Sequence, residues 1–354
     1  MQFIGRRKMG NAAVDRDWSN RLAMVHWTPE WQGESFWLKL AACCMYGSNR
    51  IRKFHYLQLA MVAAVLQAAF VARAQELEPL AYSISPQGTN FLILGFTRFT
   101  GDVSFDPTLP IEDATSTLHT TALGYVRATD VAGRSASVGL VVPYVWGSVQ
   151  GVIYGSFQQA LRSGLADPAF RFAINLHGAP VMNAAEFKDY KQKTNVGASV
   201  VVIAPLGQYD PARLLNIGTN RWAVKPEIGI SQRFGRWYLD LYAGTWIFTA
   251  NHSFPLGVRR QDPIGIAQSN LTCVITPRVW ASFSANLYTG GRTSVAGVDR
   301  ADYLHNSRMG GTLAIRVTRH QSIKFNGSNG VVTNISAAFA SIGVAYQYMW
   351  GGGM

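Results

Sequence analysis

Residues 222–248 read WAVKPEIGISQRFGRWYLDLYAGTWIF, and their alternation decides the fold. Trp222, Val224, Pro226, Ile228 and Ile230 share one parity; Lys225, Glu227 and Gly229 share the other. After the break at Phe234-Gly235-Arg236 the pattern resumes. Trp237, Leu239, Leu241, Ala243 and Ile247 stand against Tyr238, Asp240, Tyr242 and Gly244. A period of two places alternate side chains on opposite faces of a sheet. Each run exceeds ten residues, longer than the ~5–6 of strands in soluble proteins and matched to a tilted strand crossing a bilayer.

The same unit recurs along the chain. The spacing predicts twelve strands, at 90–100, 115–129, 134–147, 165–177, 194–206, 220–233, 236–249, 263–276, 278–289, 305–318, 320–327 and 338–350. Tight turns fall at Asp130–Arg134, Phe234–Arg236, Thr276–Arg278 and Arg319–Gln321. Longer connections fall near 101–114, 148–164, 207–219, 250–262, 290–304 and 327–337; the stretch around Val149–Phe157 alternatively forms an outer hairpin, which changes the count by a strand pair. An even strand count, with short turns at one end and long loops at the other, is the pattern of an outer-membrane β-barrel. The fold class is therefore all-β, an antiparallel transmembrane barrel of about twelve strands. The 178–193 connection is the exception, a longer link on the short-turn side. There Asn183 precedes Ala-Ala-Glu186-Phe-Lys-Asp-Tyr190 and predicts an N-capped periplasmic helix over 183–190. The last strand ends in Tyr346, Tyr348 and Trp350 on its outward parity, which fits an interfacial girdle and a barrel-insertion aromatic, although Gly351-Gly-Gly-Met354 follows the Trp and departs from a C-terminal aromatic.

Composition agrees with this reading. Only 15% of the 354 residues are charged, and mean hydropathy is +0.05, which excludes a disordered chain. No internal apolar run is long enough for a helical span. Residues 51–74 have the anatomy of a secretory signal: Arg52 and Lys53, an apolar Leu57–Val71, then Ala72-Arg73-Ala74. Residues 1–50 show no alternation and are expected to be an over-extended or unstructured leader, with Met45 as the candidate start. Residues 75–354 are the expected barrel, exported to the outer membrane. Ten of the 32 Lys/Arg and four of the 20 Asp/Glu precede residue 75, leaving 22 basic and 16 acidic residues, net +6. No basic cluster with interleaved aromatics follows, so nucleic acid is not an expected partner.

Three cysteines, two of them adjacent, give neither a disulfide framework nor a zinc spacing. His119, His177, His252, His305 and His320 lie in no GxSxG or HExxH context, so no catalytic residue, metal or cofactor is expected. Parity makes Arg171, Asn175, Lys225, Glu227, Tyr238, Asp240, Tyr242, Gln268, Asn270, Trp280, Arg308, Arg316 and Lys324 the candidate lumen-lining residues. Lys225 and Glu227 are expected to neutralise each other, or to meet Asp240 and Arg308.

Several stretches carry a family resemblance. They are Glu76-Leu-Glu-Pro79-Leu-Ala-Tyr82-Ser83 with Pro86-x-Gly88-Thr-Asn90-Phe91; Phe105-Asp-Pro107-Thr-Leu-Pro-Ile-Glu112-Asp113; Ser163-Gly-Leu-Ala-Asp167-Pro168; Ala204-Pro-Leu-Gly207-Gln-Tyr-Asp210-Pro211; Asn216-Ile-Gly-Thr-Asn220-Arg221-Trp222; and Tyr288-Thr-Gly-Gly291-Arg292. Over about 79–350 the chain resembles the MetA-pathway of phenol degradation family of Gram-negative outer-membrane "transporter" proteins. The resemblance implies a β-barrel and passive uptake of small compounds, aromatic or amphipathic ones among them. A structural or adhesive barrel, or an outer-membrane hydrolase, is the alternative. The expected partners are outer-membrane lipids and lipopolysaccharide, the barrel-insertion machinery and an unidentified small-molecule substrate.

Overall fold

The structure is a computed structural model that describes residues 78–101, 111–153, 156–213, 215–334 and 339–353. The expected leader and signal peptide lie outside the described residues.

The strands are β1 (Thr89–Gly101), β2 (Ile111–Val131), β3 (Arg134–Ile153), β4 (Ser156–Leu165), β5 (Ala169–His177), β6 (Thr194–Ile203), β7 (Ala223–Phe234), β8 (Trp237–Phe248), β9 (Arg259–Gln261), β10 (Ile264–Thr276), β11 (Val279–Gly290), β12 (Thr293–Val295), β13 (Val298–Asp299), β14 (Leu304–Arg316), β15 (Gln321–Val332) and β16 (Phe339–Gly351). Twelve of them form one antiparallel barrel in the order β1-β2-β3-β5-β6-β7-β8-β10-β11-β14-β15-β16. β16 pairs back onto β1, with Asn90 opposite Trp350 and Phe99 opposite Ser341. Closure leaves no strand edge to face lipid, where an unpaired backbone amide costs several kcal/mol.

Burial follows the parity read from the sequence. Ile228, Ile342 and Leu94 are 55%, 69% and 52% exposed on the outer surface. Asp240, Asn270, Ser284, Asn286 and Asn306 are fully buried inside. A soluble protein has the reverse arrangement; this one is solvated by hydrocarbon outside and by its own polar groups within. Among the described residues no helix is long and apolar enough to cross a membrane, so crossing falls to the strands.

The tight turns have local causes. Ala132 and Gly133 adopt φ of 52° and 74°, and the Asp130 carboxylate accepts the Gly133 amide at 2.8 Å. Two positive-φ residues match the turn twist to that of the flanking strands. On the same end, helix α1 (Ala184–Asp189) is capped as expected. Asn183 Oδ1 accepts the Ala185 and Glu186 amides, and Glu186 Oε2 accepts the Asn183 amide in return.

Several boundaries differ from expectation: β2 starts at Ile111 rather than 115, β5 at Ala169 rather than 165, and β6 ends at Ile203 rather than 206. The 148–164 connection is not a loop: β3 continues to Ile153 and turns back as β4, with Val152 opposite Phe157. This is the outer hairpin that the stretch around Val149–Phe157 allows as the alternative to a loop. β15 likewise runs to Val332 rather than 327, because Gly327 and Gly330 pair as ladder residues. At the long-loop end β9, β12 and β13 form a small second sheet. Val149, Leu215, Phe254 and Val295 pack together there and join four connections in one apolar cluster.

Ile228→Arg places a cation on the hydrocarbon face. We expect it to cost about 2–4 kcal/mol and to lower the fraction of heat-modifiable, folded barrel on a semi-native gel. Ser231→Thr, on the inward parity of the same strand, leaves that fraction near wild type.

Candidate functional site: the barrel lumen

The segment before β1 does not stay outside the barrel. Residues 78–88 enter through the short-turn end, and Tyr82 is 2% exposed against Ala173 and Tyr242. The wall is shaped to receive it. Gly197 and Gly229 are direct cross-strand partners on β6 and β7. A Cβ at Gly197 would lie 2.2 Å from the Tyr82 ring, and one at Gly229 would lie 2.4 Å from it. The two glycines are thus a notch cut in the inner wall for one aromatic ring. Tyr242 completes the notch edge-on, with centroids 5.2 Å apart at 79°.

Polar contacts fix the segment's height in the lumen. The Leu80 amide donates to Asp240 Oδ2 at 2.9 Å, and the Ala81 amide donates to Tyr242 Oη at 3.0 Å. Tyr82 Oη donates to Glu227 Oε1 at 3.0 Å and lies 3.2 Å from Ser199 Oγ. Further back, Ile84 packs with Ala179, Met182 and Tyr190, and the Gln87 amide donates to the Met182 carbonyl at 2.9 Å. The 178–193 connection therefore anchors the base of the inserted segment.

The candidate residues sort into three places. Arg171, Lys225, Glu227, Asp240 and Tyr242 surround the inserted segment. Lys225 Nζ pairs with Glu227 Oε2 at 3.3 Å, and Arg171 bridges Glu78 at 3.2 Å and Glu227 at 4.0 Å. Buried charges are tolerated when paired in this way. Asn175, Trp280, Arg316 and Lys324 line, together with Arg171, a cavity of about 470 Å³ at the short-turn end, bounded on one side by Pro79–Ser83. Gln268 and Asn270 belong to a polar wall over β8, β10 and β11, in which Asp240, Asn270 and Ser284 stand in one cross-strand row. Gln268 Nε2 donates to Asn270 Oδ1 at 3.1 Å within it.

Two candidates stand apart. Tyr238 lies near the short-turn end beneath the Arg233 guanidinium, 5.5 Å from its ring centroid. Arg308 is buried, but it meets neither Lys225 nor Glu227. Its guanidinium stacks 3.9 Å from the Phe339 ring centroid and donates to Ser328 and Ser341. Asp240 also fails to join the charge pair, because the Leu80 amide of the inserted segment takes its carboxylate. Parity gives the face of a residue, not its partner, and the partner here arrived from outside the sheet.

Tyr82 is the lumen residue that alternation missed, since its segment is not a strand. The legible signal was the pair Gly197 and Gly229, inward positions with no side chain in two adjacent strands. Among the described residues no group of three His, Cys, Asp or Glu is placed to hold a metal.

The geometry defines the class: an outer-membrane antiparallel β-barrel whose lumen holds the segment that precedes its first strand. Residues 100–348 match the family described as "Putative MetA-pathway of phenol degradation", and the chain belongs to that family. No curated protein matches it in sequence. Among solved structures, an outer membrane channel from Pseudomonas putida F1 has the same fold. Its TM-score is 0.64 at 18% identity, over 78% of this chain and 100% of that chain. The transport unit of the autotransporter AIDA-I from Escherichia coli gives 0.44 at 10% identity, over 82% of this chain and 97% of that one.

Gly197→Val fills the notch and should expel Tyr82. In the folded wild-type barrel we expect chymotrypsin to spare the Tyr82–Ser83 bond. In Gly197→Val the same bond should be cut, with the product read by mass spectrometry.

Proposed function

We propose that this barrel is a passive channel for small aromatic or amphipathic compounds entering across the outer membrane, and that the inward residues named above line their route. The observation that carries the reading is the cavity of about 470 Å³ beside the inserted segment. A barrel of about twelve strands is wider than one whose side chains fill its centre and narrower than an open sixteen-stranded pore. Here Leu80, Ala81 and Tyr82 take up part of the interior, and beside them lies a space walled by Trp280, Phe91 and Ile93 as well as by charges. Such a passage favours small solutes with an apolar face over large hydrated ones.

The P. putida relative of the same fold is titled an outer membrane channel. The family description names phenol degradation, and a supply route for phenolic compounds fits a barrel better than the chemistry of their breakdown does. With no nucleotide or ion-coupling motif in the sequence, movement is down the gradient. Outer-membrane lipid and lipopolysaccharide surround the outward face, and Trp350 at the end of β16 supplies the terminal aromatic for the insertion machinery.

Tyr82→Ala removes the ring from its notch and loosens the side of the passage. In planar bilayers the wild-type chain should give small, steady conductance steps, and Tyr82→Ala should raise the step at least twofold. Absence of steps from both, with folded protein confirmed by heat-modifiability, contradicts the channel and favours a structural barrel.

A further inference from the structure

The cavity at the short-turn end is unevenly charged. Arg171, Arg278, Arg316, Arg319 and Lys324 line it, five cations against one neighbouring acid, Glu78, which adjoins the lining at Pro79 and whose charge also acts on Lys324. Arg171 is held by Glu78. Lys324, Arg278, Arg316 and Arg319 make no ion pair among the described residues. Like charges converging on one concave mouth raise the local potential and concentrate anions there.

The sheet register gives this charge a particular shape. Trp280 on β11, Ala314 on β14 and Lys324 on β15 are direct cross-strand partners in one inward row. Ala314 is small, so Lys324 reaches across it until Nζ lies 5.9 Å from the Trp280 ring centroid. Arg316 lies two residues from Ala314, on the same parity and one row nearer the short-turn end. Its guanidinium is steadied by the Pro277 carbonyl at 2.6 Å. An indole face thus lies beside an ammonium and a guanidinium, in a space whose volume falls in the usual range for small-ligand pockets.

Resting on the channel reading, we infer that this cavity is a binding station for small aromatic carboxylates. The ring lies against Trp280 and the carboxylate faces Lys324 and Arg316. Neutral phenols then meet the aromatic part of the site alone, and aromatic amines are repelled.

The test uses the full chain, folded in zwitterionic detergent micelles, in equilibrium dialysis at pH 7.5 with radiolabelled benzoate, phenol and benzylamine. The three share a ring and differ in charge, and protein-free micelles set the background. Benzoate should bind at least tenfold more tightly than phenol, and benzylamine should not bind above background. Lys324→Gln should bring benzoate down to the level of phenol. The exposed double variant Arg278→Gln/Arg319→Gln, which leaves the buried wall intact, should weaken benzoate severalfold through the lost potential. Equal binding of the three compounds, or benzoate binding unchanged in both folded variants, overturns the inference. Benzoate binding without any solute passage in bilayers leaves the station standing and removes the channel reading instead.

Discussion

Everything in this molecule depends on the β1–β16 seam. Inside hydrocarbon no water is available to the backbone, so a sheet survives there only if its two edges pair with each other. The seam does this over the whole of β1, from Thr89 opposite Gly351 to Gly101 opposite Phe339. Once the sheet is closed, strand parity becomes a choice between two solvents. One set of side chains meets lipid and must be apolar; the other meets an enclosed interior. The exposed Leu, Ile and Phe and the buried Asn, Ser and Thr are both consequences of that closure.

Closure also creates the problem that the lumen solves. An enclosed interior with carboxylates and cations in it needs partners for each of them. Lys225, Glu227, Arg171 and Glu78 form a chain of alternating sign, and its last member comes from the segment that precedes the barrel. That segment gives Asp240 and Tyr242 their main-chain donors and lays Tyr82 in the glycine notch. Its entry narrows the lumen without filling it, because Gly197 and Gly229 accept only one ring, on one side. The side left over is the cavity, so the cavity has its shape for the same reason that the wall is stable.

The fold was legible in the sequence to the extent that parity carries it. Residues 222–248 show both strands, their turn and their inward faces without help from elsewhere, and Asn183 announced the α1 cap, to which the structure adds the reciprocal contact of Glu186. Strand ends were less legible: β3 and β4 run on into the 148–164 connection as an outer hairpin, and β15 continues to Val332 through Gly327 and Gly330, which pair as ladder residues. In a sheet, glycine signals backbone freedom or close approach, and sequence alone does not separate the two. The site was less legible. Lys225 and Glu227 share a face and a pair because they are two residues apart on one strand. The Arg308 contacts with Ser328 and Ser341, and the Asp240 contact with Leu80, join elements far apart in sequence. No local pattern reports such contacts. The notch for Tyr82 is built from two strands and read by a third segment that has no alternation of its own.

The central claim is that a β-rich wall leaves a narrow, partly aromatic passage beside the Tyr82 segment. Its most direct test is a liposome-swelling panel with the full chain, using solutes of matched size: phenolics, sugars and amino acids. The account predicts that small phenolics enter clearly faster than into protein-free liposomes, while sugars of the same mass enter little faster than background. Equal acceleration of all three classes would show a general water-filled pore, and no acceleration of any would show a sealed barrel; either result contradicts the account.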